Sequence, residues 1–438
     1  MKKFALPLIA FAFIYQTTNA QNTSTDKKTE TPTWGIKFSG FLRNDVFYDS
    51  RQVISARPAN QGELLLYPTN VANDINGNDI NAAPSVTMLS ITSRLTGTIT
   101  GPNAFGAKTS GIFEGEFFGN ANGNENAFRL RHAYAKLDWK NTQLAFGQYW
   151  HPLFVTECFP GVVSFNTGIP FQPFSRNPQI RLTQNLGSGF NLILAAVSET
   201  EAFSSAGSST NIALGAPSVS QLYANNAVIP NMHAQVQYRS NSLLMGAAFD
   251  FKSLRPALKV QSAPGASTYV STNEKVNSFT FETYAKLTTK DVIVKGEFVS
   301  GENTFDQLMI GGYLAYGDAP NITYKPIHVN SYWFEVAGTG KTIVPGFFFG
   351  YTKNNGATDA GAITSVAYTR SVAPKAASID NVLRIAPRLE IVSGKFKFGT
   401  EIEITSAAYG TAGTDAKVTG NTNSVTNTRI LFVSTFSF

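Results

Sequence analysis

Cysteine is nearly absent from this chain. Cys158 stands alone among 438 residues, which excludes an internal disulfide and leaves its thiol to be read as a small buried apolar group. Beyond residue 20 no apolar run reaches the ~18 residues that a membrane helix needs, so no transmembrane helix is expected in the rest of the chain. Charge is also scarce: Asp, Glu, Lys and Arg make up 15% of the residues, where an average soluble domain has about 25%. There are four histidines, His132, His151, His233 and His328, and they are dispersed without the spacing of a metal site. No nucleophile motif accompanies them, and no glycine-rich stretch opens a helix as a phosphate cradle would. Neither an enzyme nor a resident metal or cofactor is expected. The net charge of +6 falls to +4 without Lys2 and Lys3 (6 − 2), too small an excess to argue for nucleic acid.

What is present begins with a secretory pattern. Met1-Lys2-Lys3 is basic, Phe4 to Tyr15 is apolar, and Thr18-Asn19-Ala20 offers small residues for cleavage, so residues 1–20 read as a signal peptide. No cysteine follows to take a lipid. Residues 21–33 are polar and aperiodic and read as a disordered tether. From Trp34 onward one theme repeats to residue 438: a run of apolar and polar residues in alternation, a tight turn, another such run, then a long polar loop. Alternating short and long connections are the signature of an up-and-down outer-membrane barrel. The fold class expected for residues 34–438 is therefore all-β, a transmembrane antiparallel barrel of about sixteen strands. A soluble array of β-sandwiches would also alternate, but its strands should cluster into separate units, and the pattern here is uninterrupted.

The two faces are clearest late in the chain. In KFKFGTEIEIT, Phe396, Phe398, Ile402 and Ile404 alternate with Lys395, Lys397, Glu401 and Glu403. The last run, NTRILFVSTFSF, alternates Ile430, Phe432, Phe436 and Phe438, so the C-terminus reads as a lipid-facing strand that pairs with the first strand. Its aromatic end resembles the signal by which barrel-assembly machinery selects its clients. Pro345 and Pro387 fall inside expected strands, where each removes a ladder donor, and are expected at a rim or a bulge.

One segment breaks the alternation. HPLFVTECFPGVVSFNTGIPFQPFSR, between the fifth and sixth runs, is rich in Phe and Pro. A loop so apolar needs cover that external solvent does not give, which points to the lumen. It is expected to fold inward and narrow the pore, with its Phe residues on the wall and Glu157, Asn166, Gln172 and Arg176 at the constriction. The lumen face expected around it collects Arg43, Asp45, Arg94, Glu114, Glu116, Arg129, Arg131 and Arg181, either as pore lining or simply pairing with one another. In FRLRHAYAKLDW, Arg129 and Arg131 share one face and His132, Tyr134 and Lys136 the other; either could be inward, and a bulge would reconcile them.

The stretches GFLRNDVFYDSR, SRLTGTITGP, GAKTSGIFEGEFFG, FRLRHAYAKLDW, LAFGQYWHP and PFSRNPQIRLTQ together resemble the DcaP-like family of trimeric outer-membrane porins, especially a branch common in Bacteroidota. They span the first strand and residues 86–184. The resemblance implies a sixteen-stranded homotrimer in the outer membrane of a Gram-negative bacterium, surrounded by lipid and passing small hydrophilic solutes, anionic ones favoured. The family's N-terminal coiled coil has no counterpart here, since residues 21–33 carry no heptads. Two other readings stay open: a substrate-specific transporter with a closed path, and a binding barrel that uses the long loops 50–85, 201–230 and 354–378 at the surface.

Overall fold

The computed structural model describes residues 34–56, 62–119, 123–199, 222–358, 363–370 and 377–438. The signal peptide and tether expected at 1–33, and parts of the loops 201–230 and 354–378, lie outside the described residues. One nineteen-stranded antiparallel sheet closes on itself; three of its strands, Ser85–Leu89, Gly311–Tyr316 and Ile363–Arg370, only extend one rim, which leaves 19 − 3 = 16 barrel strands. These are β1 Gly35–Asp49, β2 Arg94–Ala104, β3 Ala107–Glu116, β4 Arg129–Asp138, β5 Thr142–Trp150, β6 Arg176–Gly187, β7 Phe190–Val197 and β8 Asn231–Arg239. They continue with β9 Leu243–Leu254, β10 Val276–Thr288, β11 Val292–Glu302, β12 Thr323–Gly338, β13 Ile343–Ala357, β14 Ala377–Ser393, β15 Phe396–Thr411 and β16 Asn423–Ser437. Among the described residues no helix is long and apolar enough to cross a membrane.

Closure follows from the alternation of the last strand. β1 pairs with β16 from Phe41 opposite Ser437 to Asp49 opposite Arg429, and Gly40 and Phe438 exchange backbone hydrogen bonds of 3.2 and 3.1 Å. No edge is left to template aggregation. Around the outside, Phe249, Phe281, Phe298, Phe334, Phe347, Phe396, Phe398 and Phe432 are exposed. Each would gain about 1.5–3 kcal/mol by leaving water, so this surface suits only an apolar surrounding.

Two local irregularities have simple causes. The ladder slips between Glu114 and Gly115, where Leu130 faces Gly115 and His132 faces Glu114. This bulge turns Arg129 and Arg131 inward above it and His132 and Tyr134 inward below it, so both polar faces of the FRLRHAYAKLDW run reach the lumen. The prolines divide: Pro345, past the last β12–β13 pair at Gly346, sits at the rim as expected, and Pro387 does not. Pro345 stands opposite Leu389 and Pro387 opposite Phe347, inside the β13–β14 ladder. The β14–β15 ladder simply skips Ala386 and Pro387 and resumes at Arg388 opposite Glu401 in unchanged register. A missing donor opens a gap there without forcing a bulge.

The short turns gather at one rim and the long connections at the other, and two of the long loops fold into the barrel. The loop between β5 and β6 descends along the inside: Glu157 reaches Arg239 at the end of β8, and Phe159 O accepts from Lys295 near the start of β11 at 3.0 Å. It then climbs the opposite wall. Gly161 N donates to Glu335 at 2.8 Å, Val163 N to Glu401 at 2.7 Å, and Asn166 Nδ2 to Glu403 at 2.7 Å. Arg384 donates to Ile169 O and Ser331 to Phe171 O, both at 2.8 Å. The loop after β1 also turns inward as a hairpin of Val53–Ser55 and Leu65–Pro68. Its Leu65 and Leu66 carbonyls accept from Arg384 at 3.1 Å, and its Pro68 carbonyl accepts from Tyr409 at 2.8 Å. Leu64, Leu66, Tyr67, Phe154, Phe171, Phe174, Trp333 and Phe348 form one apolar cluster inside the barrel.

Candidate functional site: the unfilled side of the lumen

The infolded loops cover the wall from β10 to β15 and leave space against β1 to β8. Two adjoining cavities occupy it. One, of about 450 Å³, lies between the β5–β6 loop and the wall of β1 to β5, with Arg43, Arg94, Glu114, Arg131 and His132 on its lining. The other, of about 340 Å³, lies against β4 to β8, with Lys136, Gln143, Glu157, Gln179, Arg181 and Arg239. Tyr134, Tyr149, Phe154 and Thr156 line both.

Alternation on adjacent strands brings the charged residues together. Glu116 on β3 takes hydrogen bonds from Arg94 at 3.1 Å, Arg129 at 2.7 Å and Arg131 at 2.5 Å. Glu114, one step down the same face, accepts from Arg131 at 2.8 Å and from Thr96 at 2.7 Å. Three guanidiniums thus share two carboxylates. Arg43 grips Asp45 on its own strand at 2.5–2.9 Å and donates to Val163 O at 2.8 Å, tying the wall to the infolded loop. Asp45 is fully buried and also accepts from Thr92 at 3.1 Å.

Arg181 differs from all of these. Its Nε donates to Gln179 at 2.9 Å and its Nη2 to Trp150 O at 2.6 Å, and the guanidinium lies 5.2 Å from the Tyr149 ring centre. No carboxylate among the described residues pairs with it. Lys136, on the same cavity, has no carboxylate partner among them either.

Four residues were expected at the constriction, and the structure separates them. Glu157 does face the open space, pairing with Arg239 while both side chains stay about half exposed (43% and 50%). Asn166 and Gln172 do not: Asn166 is fully buried on Glu403, and Gln172, 1% exposed, turns back onto the Thr167 carbonyl. Arg176 is fully buried at the start of β6, its guanidinium 4.8 Å from the Trp150 ring centre. The reason is common to the three: a polar side chain in a tightly packed interior is more stable on a protein partner, whether the wall for Asn166, its own loop for Gln172 or the Trp150 ring for Arg176, than facing a narrow water column. The phenylalanines also divide. Phe171 packs on Phe348 as expected, whereas Phe159 and Phe165 line the open space instead.

Sequence reasoning missed the inward hairpin after β1. Its signal was the run Leu64-Leu65-Leu66-Tyr67, too apolar for a loop in water by the argument already applied to the β5–β6 loop. It also missed that the fold assembles His151, His233 and Asp250, with His151 3.7 Å and His233 3.4 Å from the carboxylate. Burial holds the His151 imidazole down at about 4, so it is a neutral neighbour of Asp250 at pH 7. Among the described residues no group of side chains is placed to hold a metal ion.

No protein-family model and no curated sequence matches the chain. Solved structures do. The outer-membrane channel DcaP of Acinetobacter baumannii superposes with a TM-score of 0.63 at 15% identity, over 92% of this chain and 97% of that one. An anion-selective porin from Comamonas acidovorans gives 0.54 at 12% identity, over 93% and 100%. The trimer form of OmpT, an outer-membrane protein of Vibrio cholerae, gives 0.50 at 10% identity, over 92% and 99%. At these identities the likeness is one of fold: the chain has the architecture of the sixteen-stranded outer-membrane porins.

Proposed function

We propose that this protein is an outer-membrane porin, a passive diffusion channel for small hydrophilic solutes with a preference for anions. The observation that carries the reading is the charge imbalance of the unfilled side. Three guanidiniums share two carboxylates around Glu116, and Arg181 and Lys136 add positive charge that no carboxylate among the described residues offsets. Low-dielectric walls focus that field into the narrow passage, so an anion entering it is stabilised and a cation repelled. In this reading Arg43, Arg94, Glu114, Arg131 and Arg181 touch the solute path. Asp45, Glu116 and Arg129 act behind them by holding guanidiniums in place.

The reading includes a homotrimer. Around β2 to β4 the outer surface carries Gly97, Gly111, Gly115, Ala133 and Ala135, and the Phe113 and Phe128 rings lie against Gly97 and Gly115 so closely that an added Cβ would meet them at 2.4 and 2.3 Å. Rings laid over glycines, with Leu95, Phe117 and Leu130 exposed beside them, make a broad apolar face that a second barrel can cover. The deciding experiment is reconstitution in a planar bilayer under a KCl gradient. Steady single-channel current with a zero-current potential of anionic sign is expected. No current, or a cationic sign, would overturn the proposal.

A further inference from the structure

The passage is lined by rings where a channel for hydrated ions needs only polar groups. Trp150, Phe154 and Phe159 stack in series, with centroid distances of 4.1 and 5.4 Å and planes 27° apart in both pairs. Next to them, Tyr134 and Tyr149 meet edge to face at 4.7 Å. The same loop buries Phe171 completely against the wall and most of Phe154, yet leaves Phe159 36% exposed, and Tyr134 and Tyr149 are only half-buried where the two cavities meet. Apolar faces turned to lumen water are unfavourable unless something covers them. Beside them Arg181 keeps Nη1 without a hydrogen bond and its charge without a carboxylate among the described residues.

We propose that the junction of the two cavities is a binding site for a planar aromatic monocarboxylate. Its ring lies among Tyr134, Tyr149 and Phe154, and its carboxylate meets Arg181. The proposal rests on the porin reading for access to the site. A neutral sugar would cover the rings but leave Arg181 unmatched. A small aliphatic acid would match Arg181 but leave the rings wet. One ligand class satisfies both, because ring stacking and a charge-assisted hydrogen bond are offered side by side.

Calorimetry on the purified, detergent-solubilised full chain tests this with benzoate, acetate, benzyl alcohol and glucose as probes. Benzoate is expected to bind at least about tenfold more tightly than each of the others. Arg181→Gln should abolish the advantage over benzyl alcohol, and Tyr149→Leu the advantage over acetate. Tyr149→Phe, which keeps the ring, should retain both, and heat-modifiable migration shows that each variant is folded. Equal affinities for benzoate and acetate, equal affinities for benzoate and benzyl alcohol, or tighter binding of glucose would overturn the site. KCl conductance of the same preparation separates the two proposals. Steady current without a benzoate preference sinks the site and leaves the porin reading. A benzoate preference without current leaves the site and sinks the porin.

Discussion

The two sides of the lumen are built from the same alternating strands and end up in opposite states. Against β10 to β15 several inward side chains are held by loop backbone: Glu335, Glu401 and Arg384 bond to Gly161, Val163 and Ile169, and these three wall residues are at most 1% exposed. Against β1 to β8 the inward guanidiniums bond to wall carboxylates, to the loop carboxylate Glu157 at Arg239, or, at Arg181, to no carboxylate among the described residues, and space remains. A barrel strand supplies a polar inner face but does not decide whether that face meets water or protein. The loops decide, and here they fill one side and leave a positively charged passage along the other.

Breaking the filled side should have the largest effect. Arg384 is fully buried, holds the carbonyls of Ile169, Leu65 and Leu66, and stands 3.6 Å from Glu403. Arg384→Met removes this donor from the three carbonyls and one cation from Glu403, which keeps only Asn166 and the more distant Arg429, at a cost of about 3–5 kcal/mol by analogy with broken buried ion pairs. Because the sheet ladder is untouched, the barrel should still assemble, but both infolded loops should loosen. Larger and noisier single-channel current is expected, and unchanged traces would mean that the loops are held elsewhere.

Shortening residues 153–175 to a tight turn should come next. Removing the segment that divides the lumen should raise conductance several-fold and admit larger sugars in liposome swelling. The same conductance from a folded variant would place the constriction in another loop.

Charge on the open side is predicted to have a smaller, selective effect. Arg181→Gln combined with Lys136→Gln should move the zero-current potential toward zero with little change in conductance. The shift should be larger in 0.1 M than in 1 M KCl, where the screening length falls from about 10 to about 3 Å. Lys353→Gln, whose partner Asp380 lies 2.5 Å away on the filled side, should leave the potential unchanged. Equal shifts from the two sides would erase the distinction drawn between them.

The smallest predicted effect is a pH dependence of the inward hairpin. Burial pushes the Glu63 carboxyl up to about 8, outside the strands, with Asp45 adding to the shift and Arg43 and Arg429 opposing it. A carboxyl raised in the folded state binds more protons there than when unfolded. The docked hairpin is therefore most stable below the ordinary carboxylate range and loses stability as pH climbs toward 8. Current fluctuations should increase over that interval, and Glu63→Gln should flatten the dependence.

Much of this architecture was legible in the sequence because strand alternation is a local property. The closing strand from Asn423 to Ser437, the Glu401 and Glu403 face and the β5–β6 loop could all be read from neighbouring residues. Even the bulge at Arg131 was visible, since both faces of that run carry polar side chains. Partner choice was not legible. Asn166 bonds to Glu403, 237 positions along the chain, and nothing near Asn166 distinguishes a side chain aimed at a wall from one aimed at water. The Leu64 to Tyr67 run was readable in principle, but its polar flanks weighed more heavily than its own composition.

Substituted-cysteine accessibility tests the division of the lumen most directly, and the wild-type protein supplies its own blank. Cys158 is buried, with its thiol pushed up to about 12 by that burial, so thiosulfonate reagents should not modify it. Lys136→Cys and Thr183→Cys place a thiol on the open side, and Ser331→Cys and Thr405→Cys place one on the filled side. Rapid modification with loss of current is predicted for the first two variants and protection for the last two. Protection of Lys136→Cys and Thr183→Cys, with reaction at Ser331→Cys and Thr405→Cys, would contradict the account and put the solute path on the other wall.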